Sequence, residues 1–324
     1  MVRVALDAMG GDLGPKAAVE GAIAALRTSP GPLTVVLTGD EPTLRGLITE
    51  CGGDGLSLDV VHTTQVVEMS DTPTVALKTK PDSSLAVCVA LQKKGLVHAS
   101  ASPGNTGAMM AASLMILGRA GKISRPTVAT VIPTASNKVV MVDSGANVDE
   151  KPAQLLQFAF CGSIYAQKVL GVESPKVALL NMGEEEHKGL ETVAETYKLL
   201  KASHLNFIGN VEGHDILKGG FDVLVTPGFT GNVVLKFIEG MGEFLVHNFR
   251  KAVVGPEFDA IFESFNYENS AGGLLLGLDG TSVIMHGRST PRAYCTGILI
   301  ARQMAESQVH RQIAEDIERL EQTA

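Results

Sequence analysis

Short β-branched runs alternate with longer helix-period segments from one end of this 324-residue chain to the other, and no other feature narrows the fold as much. VRVAL at 2–6, LTVVLT at 33–38, LSLDVV at 56–61, VHASA at 97–101, TVATVIP at 127–133, VVMVD at 139–143, KVALLN at 176–181, LNFIG at 205–209 and FDVLVT at 221–226 are expected strands. Helices are expected at 15–28, 41–51, 82–95, 104–118, 151–171, 189–201 and 230–251, with a closing helix at about 290–320. Such alternation implies a three-layer α/β/α fold: a mainly parallel sheet covered by helices on both faces. A 45% hydrophobic content and 35 glycines fit one large α/β domain or two closely packed ones. No linker or internal repeat marks a boundary, so residues 1–324 are expected to act as a single catalytic unit.

One segment breaks the alternation. "KFIEGMGEFLVHNFRKAVVGPEFDAIFESF" reads as two helices joined at Gly255-Pro256, a hairpin inserted at about 236–268. Phe237, Met241, Phe244 and Leu245 share one face of the first helix, and Phe258, Ile261, Phe262 and Phe265 one face of the second. The apolar surface around Val253, Val254, Phe258, Ile261 and Phe262 would contact either lipid or a dimer partner.

Charge and cysteine usage exclude several function classes. With a net charge of -8 and no Lys/Arg-rich run, the chain lacks the footprint of a nucleic-acid binder. No apolar run reaches the length of a spanning helix, and the opening strand does not read as a signal peptide, so a cytoplasmic protein is expected. Cys51, Cys88, Cys161 and Cys295 lie far apart without a CxxC pair, as expected of reduced thiols rather than a zinc site or disulfide framework.

Chemistry-bearing residues recur where a strand's carboxyl end turns into a helix, the edge at which open α/β sheets bind ligands. "LDAMGGDLGPK" at 6–16 places Gly10 and Gly11 in a phosphate-type turn, yet Asp7 and Asp12 flank them, and the spacing is neither GxxxxGK[ST] nor GxGxxG. In "SPGNTGAMM", Gly104 permits close backbone approach, while Asn105 and Thr106 offer either ligand contacts or a helix cap. "NMGEEEHKG" puts Lys188 at the start of an expected helix, where a cation is unfavourable unless a ligand anion accompanies it. The preceding glutamates read as a solvated charge run. Thr230 and Asn232 in "PGFTGNVVLK" begin another helix, with Asn232 either an oxyanion donor or an ordinary cap. His286 is a candidate proton carrier. Asp143 follows a strand; with Asp7 and Asp12 it could hold magnesium, although no compact ligand spacing links the three and loop-fixing is the commoner role.

Together "LDAMGGD", "GNTGA", "DSGANVDEKP", "NMGEEEHKG", "NVEGHDI", "GFTGNVVLK" and "LLGLDG" followed by "HG" resemble, in this order and over nearly the whole chain, the PlsX family. The resemblance implies a bacterial enzyme that converts acyl-[acyl carrier protein] and inorganic phosphate to acyl phosphate, without cofactor or metal. It implies a fold similar to phosphate acetyltransferases and to the isocitrate and isopropylmalate dehydrogenases. A homodimer, loose contact with the membrane surface and hand-over of product to a membrane glycerol-3-phosphate acyltransferase are implied as well. On this basis Lys188 and the amides near Asn105 and Thr106 are expected to hold phosphate, Asn232 to donate to the oxyanion and His286 to assist phosphate placement or thiolate departure. Asp7, Gly10, Gly11, Asp12, Gly104, Asp143 and Thr230 are expected to complete the substrate-binding loops. Lys236, Arg250, Lys251 and Arg292 are candidates for docking the acidic carrier protein. Pro227, the "SAGGLLLG" run and Thr290 depart from the family pattern. Three alternatives remain open at this point: a short-chain phosphate acetyltransferase acting on coenzyme A thioesters, a decarboxylating dehydrogenase, and a membrane-recruited scaffold.

Overall fold

A computed structural model of the chain describes residues 1–249, 263 and 272–323. In chain order the strands are β1 (Val2–Asp7), β2 (Leu33–Gly39), β3 (Leu58–His62), β4 (Ala99–Ser102), β5 (Thr127–Pro133), β6 (Lys138–Val142), β7 (Lys176–Leu180), β8 (Asn206–Val211), β9 (Val223–Val225), β10 (Gly273–Leu276) and β11 (Ser282–Ile284). The α-helices are α1 (Gly14–Thr28), α2 (Glu41–Glu50), α3 (Pro73–Thr79), α4 (Ser84–Lys93), α5 (Thr106–Ala112), α6 (Pro152–Lys168), α7 (Glu191–Ala202), α8 (Gly228–Phe249), α9 (Pro291–Glu306) and α10 (Val309–Thr323). The described residues form two compact units, one from 1–120 and 272–311 and the other from 121–249 and 312–323.

In the first unit the strand order is β3-β2-β1-β4-β11-β10, parallel except for β10. β2 is buried along its whole length, which is why LTVVLTG reads as a continuous apolar run and not an alternating one. The chain runs outward from β1 to β3 and then resumes on the other side at β4, so the order reverses between β1 and β4. A crevice at the carboxyl ends of the strands forms at such a reversal. Gly21 lets α1 lie close against α9, since a Cβ there would meet the Pro291 carbonyl at 2.7 Å.

The second unit has the order β5-β6-β9-β7-β8, with β5 and β6 an antiparallel pair and the remainder parallel. Ile132, Met141, Ala178, Phe221, Leu224 and Ile238 pack into one buried cluster under α8. On α6, Gly162 replaces a side chain that would stand 2.8 Å from Val223 Cγ1, so helix and sheet approach closely.

Helix starts follow local chemistry. Asp40 caps α2 through Thr43 N (3.1 Å), Ser83 caps α4 through Ala86 N (3.4 Å), and Thr290 caps α9 through Ala293 N (3.4 Å). Thr290, a departure from the family pattern, therefore supplies the cap itself. Three expectations change. The helix expected at 104–118 ends at Ala112 and continues as a π turn, Ser113–Leu117. The closing helix is two helices, broken where Gln308 takes a φ of 51°. α3, β10 and β11 were not expected: β10 and β11 are too short for a period to register, and Ala76 is the buried residue of α3. The first arm of the expected hairpin is the far half of α8, while Val253, Val254, Gly255-Pro256, Phe258, Ile261, Phe262 and Phe265 lie outside the described residues, as do Arg250 and Lys251. Among the described residues no helix is long and apolar enough to cross a membrane.

Candidate active site

In the first unit three loops leave the carboxyl ends of the neighbouring parallel strands β1, β4 and β11. The register that pairs Leu6 with Ala101 sets Asp7 beside Ser102 one residue later. Asp7 is buried; its Oδ1 accepts the amides of Met9 (3.1 Å) and Gly10 (3.2 Å), and its Oδ2 accepts the Ser102 hydroxyl (2.7 Å). Ser102 Oγ in turn accepts the Gly104 amide (3.0 Å). Burial pushes the Asp7 carboxyl above its usual range, and these donors pull it back. A Cβ on Gly10 would stand 2.6 Å from Asp7 Oδ2 and 2.9 Å from Gly104 Cα, so the two turns meet because Gly10 lacks a side chain. Gly11 makes room for the buried Tyr294 hydroxyl. The Asp12 amide donates to the Gly287 carbonyl (2.8 Å), which joins the opening loop to the turn that carries His286. His286 is exposed, and its Nδ1 accepts the Arg288 amide (3.1 Å).

In the second unit the equivalent edge belongs to β6, β9 and β7, which lie side by side. Asp143 at the end of β6 is fully buried. Its Oδ1 accepts the amides of Val128 (3.2 Å), Gly145 (3.1 Å) and Ala146 (3.0 Å); its Oδ2 accepts Asn147 N and Nδ2, both at 2.8 Å. Next to it the buried Glu150 accepts the Gly228 amide at 2.7 Å, the first of α8. An anion at a helix N-terminus is favourable, so Glu150 fixes where α8 begins. Asn232 stands one turn inside α8, exposed, with its side chain over Gly145, where a Cβ would stand 2.7 Å from Asn232 Nδ2. The loop after β7 carries Lys188, whose side chain is exposed and whose stem lies over Gly183.

Several expected roles change with this geometry. Asp7 and Asp143 are buried behind their loops and accept backbone amides, so they shape the turns. Asn105 caps α5 through Ala108 N (3.0 Å), while its Nδ2 donates to the carbonyls of Glu68 (3.4 Å), Met69 and Asp71 (both 3.1 Å). Its side chain is thus committed to the protein, the capping role its position allowed. Lys188 is not at a helix start: α7 begins at Glu191, and a folded loop comes first. Asn232 is no cap either, because α8 opens four residues earlier at Gly228. Thr230, in that first turn, and Thr106 are both exposed. Glu186 is tied to Lys201 at 3.0 Å and Lys236 to Glu239 at 2.7 Å. The residues not singled out in the sequence are Ser102, Asn147, Glu150 and Asn181. Each stands within a quoted motif; strand register marks Ser102, and side-chain contacts within and between loops mark the other three.

The four cysteines are free, and burial pushes the Cys161 thiol up to about 12 and Cys88 further still, as befits inert core residues. Among the described residues no group of three or more His, Cys, Asp or Glu side chains is arranged to hold a metal ion.

Comparison with known proteins agrees with the motif reading. A family model described as "Fatty acid synthesis protein" matches residues 2–312. A protein of Heliobacterium modesticaldum named phosphate acyltransferase is 43% identical over 329 residues, covering 98% of this chain and 98% of that protein. Among solved structures, a phosphotransacetylase from Streptococcus pyogenes superposes with a TM-score of 0.67 at 17% identity, covering 94% of each chain. A 4-hydroxythreonine-4-phosphate dehydrogenase from Klebsiella pneumoniae does so with a TM-score of 0.55 at 16% identity, covering 94% of this chain and 98% of that one. At such identities the structural likeness speaks for the three-layer α/β fold, whereas the full-length sequence match identifies the family. This chain belongs to the PlsX family of fatty acid synthesis proteins.

Proposed function

We propose that this chain is a phosphate acyltransferase that carries a long-chain acyl group from acyl-[acyl carrier protein] to inorganic phosphate, with residues 1–324 acting as one catalytic unit. The observation that carries this reading is the 43% identity, over 98% of both chains, to a protein named phosphate acyltransferase. A phosphate oxygen forms a bond to the thioester carbonyl carbon, the C–S bond breaks, and the electron pair leaves with sulfur as the thiolate of the carrier. Phosphate is largely dianionic at neutral pH and already nucleophilic, so the work is positioning and charge stabilisation. Lys188 holds phosphate. Asn232, an uncharged donor held over Gly145, stabilises the tetrahedral oxyanion. With the Arg288 amide on its Nδ1, neutral His286 carries its proton on Nε2. It is therefore a donor, suited to a phosphate oxygen or the departing sulfur and not to taking a proton at Nδ1. A thiolate of pKa about 8.5 leaves without strict need of protonation. The loops of Gly10, Gly11, Asp12, Gly104, Thr106 and Thr230 contact substrate, positioned from behind by Asp7 and Asp143. A homodimer, surface contact with the membrane and delivery of acyl phosphate to a membrane glycerol-3-phosphate acyltransferase complete the proposal.

The test is incorporation of radiolabelled phosphate into an organic-extractable product, with palmitoyl-[acyl carrier protein] beside palmitoyl and acetyl coenzyme A. Product from the carrier-protein thioester is expected. Product from acetyl coenzyme A alone would move the chain to the acetyltransferases. Lys188→Ala and Asn232→Ala should each lower turnover at least about tenfold with the fold intact; a near-wild-type rate removes that residue from the mechanism.

A further inference from the structure

We propose that Asn181 is a positioning residue that sets Lys188 for phosphate, an inference that rests on the phosphate-holding role of Lys188. Asn181 is the first residue after β7, half-buried, and its own amide continues the sheet by donating to the Val211 carbonyl (2.9 Å). Its side chain spans the loop that follows. Oδ1 accepts the Met182 amide (2.8 Å) at the start, and Nδ2 donates to the Lys188 carbonyl (2.9 Å) at the end. The loop is thereby closed into a ring by a single side chain. Gly189, at a φ of 84°, turns the chain directly against that side chain, and a Cβ there would collide with Asn181 Oδ1.

Within the ring, the Lys188 amide donates to the Glu185 carbonyl (3.1 Å), and Gly183 leaves room for the Lys188 stem, with Cγ 3.3 Å from where a Cβ would stand. Asn210, buried on β8, donates to the Glu185 carbonyl (3.0 Å) from below. The backbone of Lys188 is therefore pinned on both sides, while its side chain stays exposed. A long flexible cation gains most from a fixed root, because less freedom is lost when the anion arrives.

The test is a double-mutant cycle read by steady-state kinetics with phosphate as the varied substrate. Asn181→Ala is expected to raise KM for phosphate about tenfold with a smaller change in kcat, as loss of binding shared by ground and transition states requires. In a Lys188→Ala background the same change should alter kcat/KM by less than about twofold, since the group it acts through is gone. Asn181→Asp keeps the acceptor for Met182 and loses the donor to Lys188, so it should reproduce the effect in a variant that retains half the ring. An Asn181 effect of equal size in both backgrounds overturns the proposal, as does a wild-type KM in Asn181→Asp. Should Lys188→Ala itself be harmless, the phosphate-holding role fails first, and that result is distinct from either.

Discussion

Ser102→Ala is the sharpest test of how the first unit builds its loops. The hydroxyl is fully buried and serves two partners at once, donating to Asp7 Oδ2 at 2.7 Å and accepting from Gly104 N at 3.0 Å. Its removal leaves a buried carboxylate oxygen and a buried amide short of a partner, at about 1–3 kcal/mol each, so a loss of about 2–6 kcal/mol is expected. At about 2–4 °C per kcal/mol for a unit of this size, the corresponding transition should fall by about 4–24 °C. Asp7 adds a pH signature. Burial raises its folded-state pKa above the unfolded value, so folding loses stability as pH rises from near 4 towards that folded value. Deleting a donor to the charged form lifts the folded pKa further, and the variant's deficit must therefore widen with pH. Differential scanning calorimetry across a pH series rising from about 4 reads this directly, with the gap between variant and wild type growing as pH rises through the folded pKa. In an Asp7→Asn background the widening should vanish, leaving the constant cost of the orphaned Gly104 amide. A deficit below about 1 °C, or one that narrows as pH rises with Asp7 present, would refute the reasoning.

Other perturbations probe the remaining parts. Asp82 Oδ2 accepts both the hydroxyl (2.6 Å) and the amide (2.9 Å) of Thr64, and those bonds hold its carboxyl below the usual range. The stability it contributes is present above its unfolded pKa and lost as pH falls through the folded value, so the Tm deficit of Asp82→Asn at about pH 7 should fade as pH falls below the usual carboxylate range. Gly228→Ala would put a methyl 2.7 Å from Asp143 Oδ2 and 2.8 Å from Glu150 Oε1, and against the Asn147 carbonyl. Overpacking of this kind costs about 1–3 kcal/mol, and since it displaces the start of α8 it should lower Tm and kcat together; an unchanged Tm would show that α8 is not held there. Dialysis against a chelator should leave phosphate incorporation unchanged, and recovery of a lost rate by added magnesium would return the aspartates to consideration as ligands.

The fold was legible because its main signal is redundant. Nine β-branched runs and seven intervening helices must all misread before a parallel α/β architecture is missed, and β2 or α6 is apolar enough to be placed alone. The failures share a cause. β11 carries His286 into place with three residues, too few for any period, and the break at Gln308 has no glycine or proline to announce it. The site residues divide along the same line. Lys188, Asn232 and His286 are visible because charge or polarity at a glycine turn is locally odd. Ser102 and Glu150 are ordinary in sequence, and acquire meaning from β-strand register or from a contact 78 residues away. Lys188 does not stand at a helix start, because Asn181 and Gly189 hold its segment in a folded loop ahead of α7.

The acidic residues beside glycine turns pose an electrostatic question that the hydrogen bonds answer. A bare carboxylate 8 Å from a phosphate dianion would oppose it by about 4 kcal/mol at an effective dielectric of 20, enough to defeat binding by a single lysine. Asp143, however, accepts four backbone amides and the Asn147 amide group, and Asp7 two amides and a hydroxyl. Each donor turns the positive end of a dipole on the carboxylate and so reduces the field it projects outward, while the turn it closes is held in one shape. The two aspartates are thus compatible with anionic substrate chemistry because their charge is spent inward. The same accounting separates Asp7→Asn from Lys188→Ala. Neutralising Asp7 should change KM for phosphate by less than about threefold, whereas a charge still acting on the substrate would make Asp7→Asn bind phosphate many-fold more tightly.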